Sequence, residues 1–384
     1  MRQLPIRELP VNSYVDAPVY LDENYILLAP DIPVTETLIR RLVDWEFTQV
    51  LTAGKVVGAP APDASGAPGL SLNKNLKEQE IINQVLAAYK QRVVAVAAIF
   101  EQYKTRNELK IEEITDLVKG LMSLVKNQPR YALNLPDLET AGSGFLPSHA
   151  VKSSVLAVAL ADFLKLPPHR TIEVGIAGLL HTIGMMRIPA EIYLSDRPLG
   201  PQEKQMIIAH PILSFRALKE AGFPMQIAVA VLEHHERMDG SGYPRKLTGE
   251  RLSLYGKIVG VASSYVAAVS ERPFRQARDG HSGIMDLLRD AGKFYDEKVL
   301  RALVFTLSIY PIGTYVELAN KSVGVVIRTN PASPKLPVVR LLLNTQGKPY
   351  PDLPMVQVEE SGELSIQRPL TAEEARLYNE VRKG

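Results

Sequence analysis

Apolar positions along this chain change their period three times, and each change marks a new architecture. Between residues 10 and 52, short runs such as Tyr14-Val15, Val19-Tyr20-Leu21 and Tyr25-Ile26-Leu27-Leu28 predict strands. They lead into Thr35–Trp45, where Leu38, Leu42 and Trp45 recur at helical spacing, and Val50-Leu51 follows as a further strand. Residues 1–53 therefore read as a small α/β module. From 54 to 75 the composition shifts to Gly, Ala, Pro and Ser, as in Gly58-Ala59-Pro60-Ala61-Pro62. Such a stretch has too little apolar surface to bury, so a flexible linker is expected.

Residues 76–127 are rich in Leu, Ile, Val, Ala, Glu and Lys, with Ile81, Val85, Ala88 and Tyr89 on one helical face. Between Pro147 and Tyr310 helical periodicity recurs repeatedly with short Gly/Pro punctuation. The reading is one helical domain over 76–312, its core at about 147–310. After Pro311 the period falls to two: Val316 and Leu318, then Val323, Val325 and Ile327, then Val339, Leu341 and Leu343. That pattern predicts a small antiparallel β appendage within 313–384. The expected fold class is mainly α: an all-helical bundle flanked by a small N-terminal α/β module and a small C-terminal β appendage.

Composition narrows the chemistry. At 384 residues and 46% apolar content the chain can fill more than one core. A net charge of +2, from 44 basic and 42 acidic residues, gives no field for a nucleic-acid polymer. Cysteine is absent, which leaves histidine and carboxylate as metal ligands. Met1–Glu8 lacks the apolar core of a signal peptide, and Val93–Phe100 is too short to span a bilayer. A cytoplasmic protein with no membrane partner is expected. No Gly-rich phosphate loop followed by Lys-Ser/Thr occurs, nor a Gly-x-Ser-x-Gly elbow.

The histidines carry more information. His181 shares a helical face with Val174, Ala177 and Gly178, His210 with Met206, Leu213 and Ala217, and His234 with Ile227 and Val231. His149 falls in the first turn of a helix opened by Pro147. Any one of them alone reads as a core imidazole satisfied by a backbone carbonyl. Several aimed into one bundle are costly to bury unless they share a ligand. Neighbours on a helix diverge by about 100°, so His234 and His235 could both ligate only near a helix end, and Asp239-Gly240-Ser241-Gly242 supplies one. Two alternatives remain: one ion on His210, His234 and His235, with or without His181, or a metal-free, hydrogen-bonded histidine core.

The string His234-His235-Glu236-Arg237-Met238-Asp239-Gly240-Ser241-Gly242-Tyr243-Pro244, preceded by His149, His181 and His210-Pro211, resembles the HD-GYP family of cyclic di-GMP phosphodiesterases. The likeness runs from about Ser148 to Ala277. It implies an HD-superfamily bundle in which His149, His181, His210, His234 and His235 are metal-binding positions. It also implies that Arg272 and Arg275, flanking Pro273-Phe274, grip the ligand, and that Tyr243 is a contact residue.

Against that pattern the acids are gone. Thr182 and Ser263 occupy the places of two metal-binding aspartates, Val266 that of a further acid, Met185 that of a lysine, and Phe145 that of a glutamate. Two dications about 3.5 Å apart repel by roughly 19 kcal/mol at an effective dielectric of 20, and neutral hydroxyls cannot offset this. A two-metal centre is not expected; at most one divalent transition metal, Zn, Fe or Mn, is. The expectation is a catalytically degenerate HD-GYP-like signalling protein that binds cyclic di-GMP, a related cyclic dinucleotide or a partner protein. The alternative is an active metal-dependent phosphodiesterase in which one ion activates water.

Overall fold

The computed structural model describes residues 2–135, 138, 144–271 and 277–375, except 12, 16, 18, 22–25, 29–33, 45–46, 58–68 and 372–373; at 26, 37, 44 and 69–78 it describes the backbone alone. The chain divides into two compact units, residues 1–78 and 79–384. In the first, strands β1 (Arg2–Pro5), β2 (Tyr14–Val15), β3 (Val19–Tyr20) and β4 (Ile26–Leu28) precede helix α1 (Glu36–Asp44), followed by β5 (Gln49–Thr52) and β6 (Val56–Val57). One antiparallel sheet has the order β1-β5-β3-β4, and β2 pairs with β6. Leu4, Val19, Leu42 and Val50 fill the core beneath it.

Two local features differ from the sequence reading. Strand β1 lies in a segment read only for targeting signals; its Leu4, with Ile6 just beyond, is buried. Within the expected linker, β6 pairs with β2, and helix α2 (Gly69–Arg106) has already begun by residue 69. Residues 70–78, Leu-Ser-Leu-Asn-Lys-Asn-Leu-Lys-Glu, contain neither Gly nor Pro, so nothing there breaks the helix. Trp45 and the centre of the linker fall outside the described residues.

In the second unit α2 leads to α3 (Ile111–Asn127), whose Ile114, Val118, Leu121 and Val125 form one buried stripe. After α4 (Pro129–Ala132) comes α5 (Leu146–Phe163), buried at every residue from Leu146 to Ala161 except Lys152. A helix apolar on all sides belongs at the centre of a bundle. Around it pack α6 (Pro168–Leu180), α10 (Leu254–Val269) and α12 (Glu297–Leu307). Helices α7 (Ala190–Tyr193), α8 (Pro201–Glu220), α9 (Met225–Glu233) and α11 (Gly280–Arg289) complete the bundle.

Beyond α12, strands β7 (Tyr315–Leu318), β8 (Val323–Arg328), β9 (Val338–Leu343), β10 (Met355–Gln357) and β11 (Ile366–Pro369) form an antiparallel sheet of order β10-β9-β8-β7-β11. The first three are the alternating runs of the sequence. Side chains on both faces are buried, Val316, Leu318, Val326 and Val339 on one and Tyr315, Val325 and Leu342 on the other. The fold is thus mainly α, with a small sheet at each end of the chain. Among the described residues no helix is long and apolar enough to cross a membrane.

Candidate metal and ligand site

Helix ends bring the histidines together. His149 lies in the first turn of α5, His181 directly follows α6, and His234-His235 directly follow α9, while His210 sits within α8 beside Pro211. His149, His181, His210 and His234 are buried, and His235 is half-buried. Ring centroids of His181 and His234 are 4.9 Å apart, and those of His234 and His235 4.1 Å. Ser214 Oγ donates to the His181 carbonyl at 3.0 Å and accepts from Gly184 N–H at 2.8 Å, tying the His181 turn to α8. A Cβ on Gly184 would lie 2.4 Å from the His210 carbonyl oxygen, so only glycine permits this approach.

Hydrogen bonding fixes the tautomers. Nδ1 donates to a backbone carbonyl three residues earlier in His181 (Gly178, 2.8 Å), His210 (Ile207, 2.7 Å) and His234 (Val231, 2.6 Å). A carbonyl only accepts, so each Nδ1 carries the proton and each neutral Nε2 presents a lone pair. His149 Nε2 lies 3.2 Å from His181 Nε2, a contact that closes as a hydrogen bond with His149 donating. His210 Nε2 and His234 Nε2 also lie 3.2 Å apart, but there both protons are already committed and two lone pairs face each other. Protonation does not relieve this. Burial holds His210 down to about 4, and burial with the charges of His235, His181 and His210 holds His234 well below the usual histidine range.

A shared cation does relieve it. His210, His234 and His235 each offer a ligand atom within 4.8 Å of the others. Two imidazoles on one tetrahedral ion, at Zn–N distances of about 2.0–2.1 Å, have nitrogens about 3.3 Å apart. The His210–His234 separation fits that edge, so the donor set can hold one ion.

These side chains line a cavity of ≈ 430 Å³ with Phe145, Leu146, Thr182, Met185, Ile207, Arg237, Tyr243, Ser263, Ser264, Ala267 and Tyr295. No carboxylate is among the described residues lining it. The Thr182 Oγ1 is buried with no hydrogen-bond partner among the described residues, and Ser263 Oγ donates within its own helix to Gly260 at 3.3 Å. The two acids nearest in sequence are used elsewhere. Glu236 accepts from Arg245 N–H (2.6 Å) and Leu247 N–H (3.0 Å), while Glu233 accepts from Ser253 N–H (2.9 Å) and pairs with the Arg245 guanidinium.

That bracing shapes the glycine loop. A Cβ on Gly242 would lie 2.4 Å from Glu236 Cα and 2.5 Å from the His235 carbonyl oxygen, which explains the second glycine of Gly-Ser-Gly. Tyr243 N–H donates to His235 O, and the two rings stack at 4.7 Å. Burial pushes the Tyr243 hydroxyl up to about 12, with the Arg237 guanidinium pulling the other way.

Of the positions singled out from sequence, His149, His181, His210, His234, His235, Tyr243, Thr182, Met185 and Ser263 share this cavity. Val266 does not; it lines a separate cavity of ≈ 340 Å³ with Lys152 and Arg278. Arg272 and Arg275 lie outside the described residues. Sequence reading overlooked Arg237, Ser264 and Tyr295 as lining residues. Arg237 sits inside the histidine string and could have been suspected there, whereas Tyr295 has no local signal.

Residues 138–299 match the HD domain and residues 315–377 a KOW domain associated with HD domains. A cyclic di-GMP phosphodiesterase of Pseudomonas aeruginosa is 32% identical over 272 residues, 71% of this chain and 65% of that protein. The cyclic di-GMP phosphodiesterase PdeB of Borreliella burgdorferi is 30% identical over 195 residues, 51% of this chain and 52% of that protein. The chain belongs to the HD-GYP family. This HD-GYP chain spans between half and two thirds of the length of those two relatives. Among solved structures, an HDG"Y"P protein from Bdellovibrio bacteriovorus superposes with a TM-score of 0.47 at 14% identity, covering 79% of this chain and 97% of that one.

Proposed function

We propose that this HD-GYP chain binds a cyclic dinucleotide, cyclic di-GMP first among them, in the histidine cavity and does not cleave it. The observation carrying this reading is a cavity with five imidazoles, several hydroxyls and a guanidinium, and no carboxylate among its described lining residues. Such a lining supplies donors for phosphodiester oxygens but no anionic bridge for paired dications. Thr182 and Ser264 offer hydroxyls, and the stacked His235–Tyr243 pair offers an aromatic wall. Phe145, Met185 and Ile207 also wall an adjoining cavity of ≈ 450 Å³, room for a ligand longer than one nucleotide. Two relatives named as cyclic di-GMP phosphodiesterases support the ligand class.

Calorimetry with cyclic di-GMP, run beside chromatography of the incubated nucleotide with Mn²⁺ or Fe²⁺, tests the proposal. Binding heat with intact nucleotide is expected. Hydrolysis that disappears in His234→Ala and His235→Ala would overturn it.

One observation favours a second reading: the facing lone pairs of His210 and His234 call for a cation. A divalent ion held by His210, His234 and His235 supplies Lewis-acid polarisation of a phosphoryl oxygen when bound. In that reading the chain is a single-ion phosphodiesterase, with Nδ1–carbonyl bonds orienting His210 and His234, two of its three ligands. A metal count on freshly purified protein separates the two readings. Near-stoichiometric metal lost in His234→Ala, together with nucleotide turnover, supports the second; metal without turnover leaves the first standing.

A further inference from the structure

Several described arginines of the second unit are paired with acids. Arg245 pairs with Glu233, Arg197 with Glu203 and Arg278 with Asp286. Arg237 differs. It lines the histidine cavity, and its Nη1 is buried with no hydrogen-bond partner among the described residues.

Its placement is fixed from two sides. Met238 N–H donates to the Phe294 carbonyl at 3.2 Å and Asp239 N–H to that of Lys293 at 2.9 Å, so the backbone beside Arg237 is stapled to the turn before α12. The guanidinium carbon then stands over the Tyr295 ring, 4.6 Å from its centroid, a cation–π seat for the fork. A guanidinium nitrogen shielded from water and left without an acceptor is costly until one reaches it. Planar guanidinium matches two oxygens of a phosphodiester.

We infer that Arg237 is a phosphate-binding residue of this cavity, gripping a phosphodiester of the ligand beside the histidines. The inference deepens the cyclic-dinucleotide reading and rests on it for the ligand's identity. Tyr295 acts as a positioning residue through its stack on the guanidinium.

The test uses the full chain, with cyclic di-GMP and, separately, inorganic pyrophosphate as probes. Arg237→Ala is expected to weaken cyclic di-GMP binding by about tenfold or more and to flatten its dependence on salt. Arg237→Lys, which keeps the charge and loses the fork, should fall between. Metal content should stay at the wild-type value in both variants, and where Arg237→Ala unfolds, Arg237→Lys decides. Wild-type binding of cyclic di-GMP with variants within about twofold of it would overturn the inference and leave the ligand reading intact. Pyrophosphate binding that needs Arg237, without cyclic di-GMP binding, would keep the inference and remove that ligand. Binding of neither probe by the wild type overturns both.

Discussion

His210 Nδ1 donates at 2.7 Å to the carbonyl of Ile207, the helical acceptor that Pro211 leaves without its amide. Residue 211 would ordinarily bond that oxygen, and proline has no N–H to do so. The proline thereby reserves a carbonyl for the imidazole and aims Nε2 at His234. Pro211→Ala restores the competitor, so zinc affinity is expected to fall by about tenfold or more with no loss of thermal stability. Affinity unchanged in a chelator competition would show that the proline has no such role.

Thr182 Oγ1 is buried without a partner among the described residues. A near-isosteric methyl removes the unmet polar group, so Thr182→Val should stabilise the chain by about 1 kcal/mol. Urea unfolding measures this, and a variant less stable than the wild type would mean that the hydroxyl has a partner after all.

The histidine cluster predicts acid sensitivity of the metal-free protein. Burial holds His210 at about 4, and burial with the neighbouring histidine charges holds His234 well below the 6.5 of an unperturbed histidine. Between those values the unfolded chain binds more protons than the folded one, so stability rises with pH. It is fully present above about pH 6.5 and is lost as pH falls toward 4, on the order of 3 kcal/mol for His210. In chelator-treated protein His210→Gln should flatten this slope. An equal slope in wild type and variant would place the acid-labile groups elsewhere.

Adding charge to the cavity tests the proposed loss of cleavage directly. Thr182→Asp with Ser263→Asp places two carboxylates on the wall of the histidine cavity, enough to screen a second dication. Metal content measured after purification in Mn²⁺ should rise above the wild-type value. Turnover of cyclic di-GMP should remain low, because Met185 still stands on the same wall. Flat metal uptake would remove Thr182 and Ser263 from the site.

Much of this was legible beforehand because it depends on residue identity and local period. Ile114, Val118, Leu121 and Val125 announce a one-sided helix, and Val316 with Leu318 a strand, whatever surrounds them. Strand β1 escaped notice because four residues ending in proline carry almost no periodic signal. Val266 was placed in the site by its position in the family pattern, yet at about 100° per residue the cavity face of α10 runs through Ser263, Ser264 and Ala267. Val266 falls to one side of that face and lines the other cavity.

The sequence by itself determined the inventory: five histidines at helix-compatible positions, hydroxyls at Thr182 and Ser263, and a glycine loop beside them. Only tertiary packing decided that His210 and His234, 24 residues apart, turn lone pairs toward each other, and that Arg237 is seated on Tyr295 with Nη1 unpartnered among the described residues. Residue types set what each group can donate or accept. Which groups meet depends on the crossing of helices far apart in the chain, and no local period encodes that.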